Sequence, residues 1–193
     1  MQPTKKPFAI TAPPDSDIWR KPPSRDVFNA KTSLLPPIPL TSFSRSRISL
    51  ASSWKYRYDQ GGLLLHLTKP GETDRWLKAG VEFYNQKPYI SAAGCDKFAD
   101  WSIYPVDAGE EEFTLELRRE GDENGKGLWV YWLKGGGDGE RVPVREVAWF
   151  FASEEGWDVS VGAYACRPAG EDVVKDKEKL EVRFWGFEME ELQ

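Results

Sequence analysis

Between Asp74 and Tyr84 the chain alternates with period two, and one side of the alternation carries groups that can do chemistry. Trp76, Lys78, Gly80, Glu82 and Tyr84 share that side. Arg75, Leu77, Ala79, Val81 and Phe83 share the other, which is apolar after its first residue. Two aromatics with an ammonium and a carboxylate between them suit a sugar-like ligand. Such a ligand offers an apolar ring face to stack on and hydroxyls for charged groups to hold. If neighbouring strands present their polar faces on the same sheet, Glu116, Arg118, Trp129, Tyr131, Arg183 and Trp185 join the set, with Gln60 and His66 beside them. The expected ligand-binding residues are therefore Trp76, Lys78, Glu82, Tyr84, Gln60, His66, Glu116, Arg118, Trp129 and Tyr131. The competing reading is a plain cross-strand charge ladder, Lys78 and Glu82 pairing with Glu116 and Arg118.

Catalysis finds less support in the same residues. Glycoside hydrolysis needs two carboxylates about 5–10 Å apart. Glu82 has no carboxylate partner on its own strand, so Glu116 would have to supply one from another. Cys95 and His66 carry no local signature of a nucleophile and base. One His and two Cys fall short of a dedicated zinc set. The Gly-rich stretches at 121–127 and 135–139 lack the Lys-Ser/Thr pair of a phosphate loop and read as hairpin turns. No catalytic residues, metal or cofactor are expected.

The elements that must hold this face are strands. Asp26–Thr32, Phe43–Trp54, the run after Gly61-Gly62, Asp74–Tyr84 and its return towards Ser102, Glu112–Arg119, Leu128–Lys134, Val142–Ala152, Trp157–Cys166 and Leu180–Glu190 all read as strands. About ten such runs with Gly, Pro, Asp and Asn turns and little helix imply two packed antiparallel sheets. Gly61-Gly62 marks a bulge, or a close approach of another backbone or a ligand. Asp59 and the corner Asp100-Trp101-Ser102 read chiefly as structural, with Trp101 capping the core. Residues 1–16 form a Pro-rich arm, laid along the domain or loose, and 17–193 the sandwich; Ile18 and Trp19 tuck the arm's end onto it.

The bulk numbers narrow the partners. A net charge of -5 over 193 residues argues against nucleic acid and anionic membrane surfaces. No apolar run is long enough to span a bilayer, and the N-terminus lacks the apolar stretch of a secretory signal. Cys95 and Cys166 are then expected as free buried thiols in a reducing, cytoplasmic setting. Nine tryptophans exceed what a core of this size requires, which favours an exposed stacking surface or a heavily aromatic core.

Three motifs in order carry a family likeness: Tyr58-Asp59-Gln60-Gly61-Gly62, Trp76-Leu77-Lys78-Ala79-Gly80-Val81-Glu82 and Asp100-Trp101-Ser102, with Val161 to Pro168 in support. From about residue 17 onward the chain resembles the concanavalin A-like domains of unknown function that include the fungal regulation-of-enolase proteins and small bacterial proteins linked to polysaccharide utilisation. The resemblance implies a concanavalin A-like jelly-roll sandwich of two antiparallel sheets, one of them concave, and no established catalytic activity. Glucanases of this fold carry a Glu-x-Asp-x-Glu run on one strand; the nearest approach here, Glu120-Gly121-Asp122-Glu123, sits in a Gly-rich loop with different spacing. Gly94 to Ala99 replaces the Val-Thr strand end that the family pattern leads one to expect. The leading expectation is a non-catalytic, lectin-like module that recognises a carbohydrate or sugar-like metabolite. A regulator of a metabolic enzyme such as enolase comes second, and an unusual glycoside hydrolase third.

Overall fold

The structure is a computed structural model, and it describes residues 6–168, 170 and 177–192. Residues 1–5 of the expected arm and most of the charged loop between Pro168 and Lys179 lie outside these. Numbered in chain order, fifteen strands form two large antiparallel sheets and one hairpin among the described residues. The six-stranded sheet runs, in spatial order, β1 (Phe8–Ala12), β15 (Leu180–Glu191), β6 (Phe43–Ser52), β11 (Phe113–Asp122), β12 (Gly125–Lys134) and β13 (Glu140–Val147). The seven-stranded sheet runs β10 (Ala99–Pro105), β9 (Lys87–Cys95), β8 (Arg75–Tyr84), β7 (Gln60–Thr68), β14 (Asp158–Cys166) and β4 (Lys31–Leu34), and β5 (Ile38–Pro39) also pairs with β14. The hairpin joins β2 (Ile18–Lys21) to β3 (Arg25–Phe28). One 3₁₀ turn, Leu40–Ser42, is the sole helical element among the described residues.

Alternation explains how the sheets close on one another. Leu77, Ala79 and Val81 of β8, Leu63, Leu65 and Leu67 of β7, and Leu115 and Leu117 of β11 all point into one core between the sheets. Each of these eight side chains is at most 1% exposed. The turn from β8 to β9 is Asn85-Gln86, both with positive φ (47° and 61°), the two-residue hairpin geometry that matches strand twist. Gly61 and Gly62 do not form a bulge, because the register runs unbroken from Gln60 opposite Glu82 to Leu67 opposite Arg75. They mark a close backbone approach instead: a Cβ on Gly62 would lie 2.2 Å from the carbonyl oxygen of Ala79.

Some boundaries move. Phe8–Ala12 of the expected arm is the edge strand β1, paired along β15, so this part of the arm completes a sheet. The run Asp26–Thr32 divides between β3 and β4, and β13 stops at Val147. The aromatic residues that extended that run in the sequence, Phe150 and Phe151, fold over in a turn and are buried in the core. Gly94 to Ala99 makes a plain reversal, β9 ending at Cys95 and β10 starting at Ala99.

Candidate functional site

The seven-stranded sheet has an outer face as well as a core face, and the outer face is half covered. Register places Trp76, Lys78, Gly80 and Glu82 of β8 beside His66, Leu64, Gly62 and Gln60 of β7. At the Trp76 end, Ile18 from the β2–β3 hairpin packs into a second apolar cluster with Leu64, Trp76, Ala93, Cys95, Tyr164 and Cys166. Ile18 is 0% exposed, a burial worth about 1.5–3 kcal/mol. Polar bonds hold the hairpin in place. Arg20 Nη1 donates to the Asp74 carbonyl at 2.9 Å, the Asp17 amide donates to Asn29 Oδ1 at 2.7 Å, and the Arg167 amide donates to Ser16 Oγ at 3.0 Å.

At the Glu82 end the hairpin stops short and leaves a cleft of about 330 Å³. That is the small end of ligand sites, which run on the order of 300–1,000 Å³. Its walls are aromatic: Trp19 from the hairpin, Tyr58 from the loop before β7, and Trp101 from β10. Tyr58 and Trp101 meet edge to face at 6.3 Å, and both rest on Tyr84, each 5.7 Å from its ring. Arg57 spans Tyr58 and Tyr84 at 4.6 and 4.8 Å and donates to the Tyr84 hydroxyl at 3.1 Å. Tyr58 has a φ of 71°, a costly conformation for a bulky residue, of the kind that persists where the surrounding structure enforces it.

The floor is polar and buried. Gln60, Lys78 and Glu82 line the cleft yet are each 3–4% exposed. Lys78 Nζ donates to Gln60 Oε1 at 2.7 Å and stands 3.5 Å from Asp17 Oδ1. Gln60 Nε2 donates to the Tyr58 carbonyl at 3.2 Å. Ser91 Oγ and Trp101 Nε1 both donate to Glu82 Oε2 at 2.8 Å, which leaves Oε1 without a hydrogen-bond donor among the described residues. Burial pushes the Glu82 carboxyl above its ordinary value, although Lys78 and the two donors pull the other way. Gly62 and Gly80 contribute no side chains between these polar groups, so the floor stays open.

Behind the floor lies an anchor. Asp59 is wholly buried and accepts from Arg167 Nε and Nη2, both at 2.7 Å, and from the backbone amides of Lys55 and Tyr56, both at 3.0 Å. This fixes the residues on either side, Tyr58 and Gln60, and ties them to Ser16 of the arm through Arg167. Asp59 thus has the structural role expected of it.

Of the ten expected ligand-binding residues, Lys78, Glu82 and Gln60 line the cleft, and Tyr84 supports its wall. Trp76 does not reach the surface, because Ile18 covers it; its ring lies 5.8 Å from Lys78 Nζ. His66 sits beyond the cleft, 2.9 Å from Asp74 Oδ2, with its ring tilted against Phe28 of the hairpin at 4.7 Å. Glu116, Arg118, Trp129 and Tyr131 are on β11 and β12, in the other sheet. There Glu116 faces Arg45 at 2.9 Å and Arg141 at 3.0 Å, and Trp129 stacks on Tyr131 at 5.9 Å. Arg183 and Trp185, on β15, belong to that sheet too. The charge ladder of Lys78 and Glu82 with Glu116 and Arg118 fails for the same reason. Strand alternation assigns a side chain to a face, but only long-range pairing assigns the strand to a sheet.

Asp17, Trp19, Lys21, Arg25, Tyr58, Trp101 and Pro168 complete the lining among the described residues and were absent from the expected set. Trp101 does not cap the core: it is 36% exposed and turned to Glu82. The hairpin residues had one sequence signal, the apolar pair Ile18-Trp19 in a Pro-rich arm. Among the described residues no group of three or more His, Cys, Asp or Glu side chains is placed to hold a metal ion.

Comparison with known proteins adds four findings. A family model described as "Protein of unknown function (DUF1349)" matches residues 1–192. The uncharacterized protein AN7484 of Emericella nidulans is 43% identical over 169 residues, which cover 86% of this chain and 81% of that protein. Among solved structures, a functionally unknown protein from Saccharomyces cerevisiae superposes over 100% of this chain and 95% of its own, with a TM-score of 0.67 and 19% identity. The xylan β-1,4-xylosidase of Bacillus halodurans C-125 matches over 80% of this chain and 29% of its own, with a TM-score of 0.54 and 16% identity. At these identities the two structures establish the jelly-roll sandwich fold and nothing finer.

Proposed function

The chain belongs to the DUF1349 family, and for this member of it we propose that the cleft between the β2–β3 hairpin and the outer face of the seven-stranded sheet binds a saccharide. One observation carries the reading: three aromatic side chains, Trp19, Tyr58 and Trp101, stand around a floor of buried polar ones, Gln60, Lys78 and Glu82. Rings on the walls suit the apolar faces of a pyranose, and a floor of one amide, one ammonium and one carboxylate suits its hydroxyls. Burying three such groups under a small ligand-sized opening costs desolvation, and a ligand that bonds to them recovers it. A fold shared with part of a xylan β-1,4-xylosidase is compatible with the same ligand class. Two buried free cysteines agree with the cytoplasmic setting expected from the sequence.

Isothermal titration of the full chain against a panel of mono- and oligosaccharides tests the reading. Binding of at least one saccharide, weakened at least tenfold in Tyr58→Ala and Trp101→Ala, supports it. A panel without any binder refutes it. Reducing ends measured in the same samples separate binding from hydrolysis: release that disappears in Glu82→Gln would make the site catalytic. The regulatory alternative, action on a metabolic enzyme such as enolase, predicts instead a stable complex with that purified enzyme that survives Trp101→Ala.

A further inference from the structure

The charge of the cleft differs from that of the chain. The whole sequence carries a net charge of -5, but among the described residues the cleft is lined by three cations, Lys21, Arg25 and Lys78, against two carboxylates, Asp17 and Glu82. Asp17 is already engaged. Its Oδ1 accepts the Ile18 amide at 2.8 Å and faces Lys78 at 3.5 Å, and its Oδ2 faces Arg25 at 3.6 Å. Lys78 is 3% exposed, and among the described residues its one hydrogen bond runs to a neutral acceptor, Gln60 Oε1. Lys21, on the hairpin at the rim, has no ion-pair partner among the described residues. A buried ammonium that shares the Asp17 carboxylate with Arg25, beside a further rim cation, Lys21, is a site that an anion would complete.

We infer that the ligand of this cleft is an acidic sugar, whose ring stacks between Trp19, Tyr58 and Trp101 while its anionic group is held by Lys78 from the floor and by Lys21 and Arg25 from the rim. This rests on the saccharide reading and narrows its ligand class. The anion can be a carboxylate, as in a uronic acid, or a phosphate ester, and both would bond with these cations. Arg25 presents a planar fork suited to two oxygens of one group, and Lys21 a movable point charge. The hairpin thereby gains a second role. Ile18 covers one half of the sheet face, and the residues on either side of it select what enters the other half.

The test pairs each acidic sugar with its neutral counterpart on the full chain: glucuronic acid, a galacturonate trimer and glucose 6-phosphate against glucose and a xylose trimer, by titration calorimetry at low and high salt. At least one acidic sugar is expected to bind about tenfold or more tightly than its neutral counterpart, the difference made by one charge-assisted hydrogen bond or more. The advantage is expected to shrink at high salt, because the rim cations are exposed. Lys21→Ala with Arg25→Ala, at the exposed open end of the β2–β3 hairpin, is expected to remove most of the preference for the acidic sugar. Lys78→Met is the stronger variant and is read only if its unfolding transition matches the parent's. A neutral sugar that binds as tightly as its acidic partner overturns this inference and leaves saccharide binding standing. A preference that survives the rim variant overturns it too, and failure of every sugar to bind overturns both readings.

Discussion

Removing Asp59 strikes the point on which the cleft depends, and the size of the effect follows from its partners. The side chain is wholly buried and receives four hydrogen bonds, two from Arg167 and two from the amides of Lys55 and Tyr56. In Asp59→Ala the guanidinium of Arg167, itself 1% exposed, loses its only counter-charge among the described residues. Leaving one member of a buried ion pair alone costs about 3–5 kcal/mol. For a chain of this size roughly 2–4 °C of Tm accompanies each kcal/mol, so a fall of roughly 6–20 °C is expected. Thermal unfolding followed by circular dichroism measures it. Asp59→Leu with Arg167→Met, which takes out both charges and keeps the volume, is expected to recover much of the loss. A fall below 3 °C in the single variant, or a double variant no better than the single, would refute the view that this ion pair anchors the loop. Since Tyr58 and Gln60 flank Asp59, saccharide affinity is expected to fall even at temperatures where the single variant remains folded.

Other positions make separate demands. Gly80→Ala places a methyl group 2.0 Å from the Gly61 carbonyl oxygen and 2.7 Å from the Gly62 Cα, both backbone atoms, so a loss of at least about 1–3 kcal/mol is expected in urea unfolding; an unchanged midpoint would show that the strands are not so close. Ile18→Ala opens a hole in the second apolar cluster, and a loss of about 2–4 kcal/mol with faster hydrogen exchange in β2 and β3 is expected, whereas slow exchange at parental stability would mean that other contacts hold the hairpin. Glu82→Gln carries a sign in its pH dependence. The folded state holds the Glu82 proton more tightly than the unfolded chain does, so the stability linked to this group is complete at low pH and declines as pH rises through its folded value. The variant should therefore match the parent near pH 4 and gain on it towards pH 8. Glu190, whose hydrogen bond to Arg45 lowers its carboxyl, works in the opposite sense and is shared by both proteins, so only the difference between the two curves is diagnostic; a difference that falls with pH contradicts the buried carboxyl.

The architecture was readable because alternation writes a strand's two faces directly into its residues. Leu77, Ala79 and Val81 on one side of β8 and Lys78 and Glu82 on the other stand where the period-two pattern placed them. The sheet to which each strand belongs was not readable. Glu116, Arg118, Trp129 and Tyr131 alternate just as clearly as β8 does, and nothing in their spacing says that β11 pairs β6 and β12 instead of β7 and β9. The hairpin was hidden for a different reason. Prolines make residues 1–24 look structureless, yet Ile18 and Trp19 were the visible trace of an element that buries half of the outer face and supplies Asp17, Trp19, Lys21 and Arg25 to the cleft. Tyr58 and Trp101 lie in motifs that could be recognised, but their side chains converge only because Asp59, forty-two residues before Trp101, is pinned by Arg167 far along the chain.

The central claim is that the aromatic walls and polar floor of this cleft hold a sugar. A crystal of the full chain soaked in the tightest-binding saccharide of the titration panel tests it most directly. The expected density is a sugar ring against Tyr58 and Trp101, with hydroxyl or acid oxygens within hydrogen-bond distance of Lys78 Nζ and Glu82 Oε1. A sugar bound instead on the outer face of the six-stranded sheet, beside Trp129 and Tyr131, with this cleft empty, would contradict it.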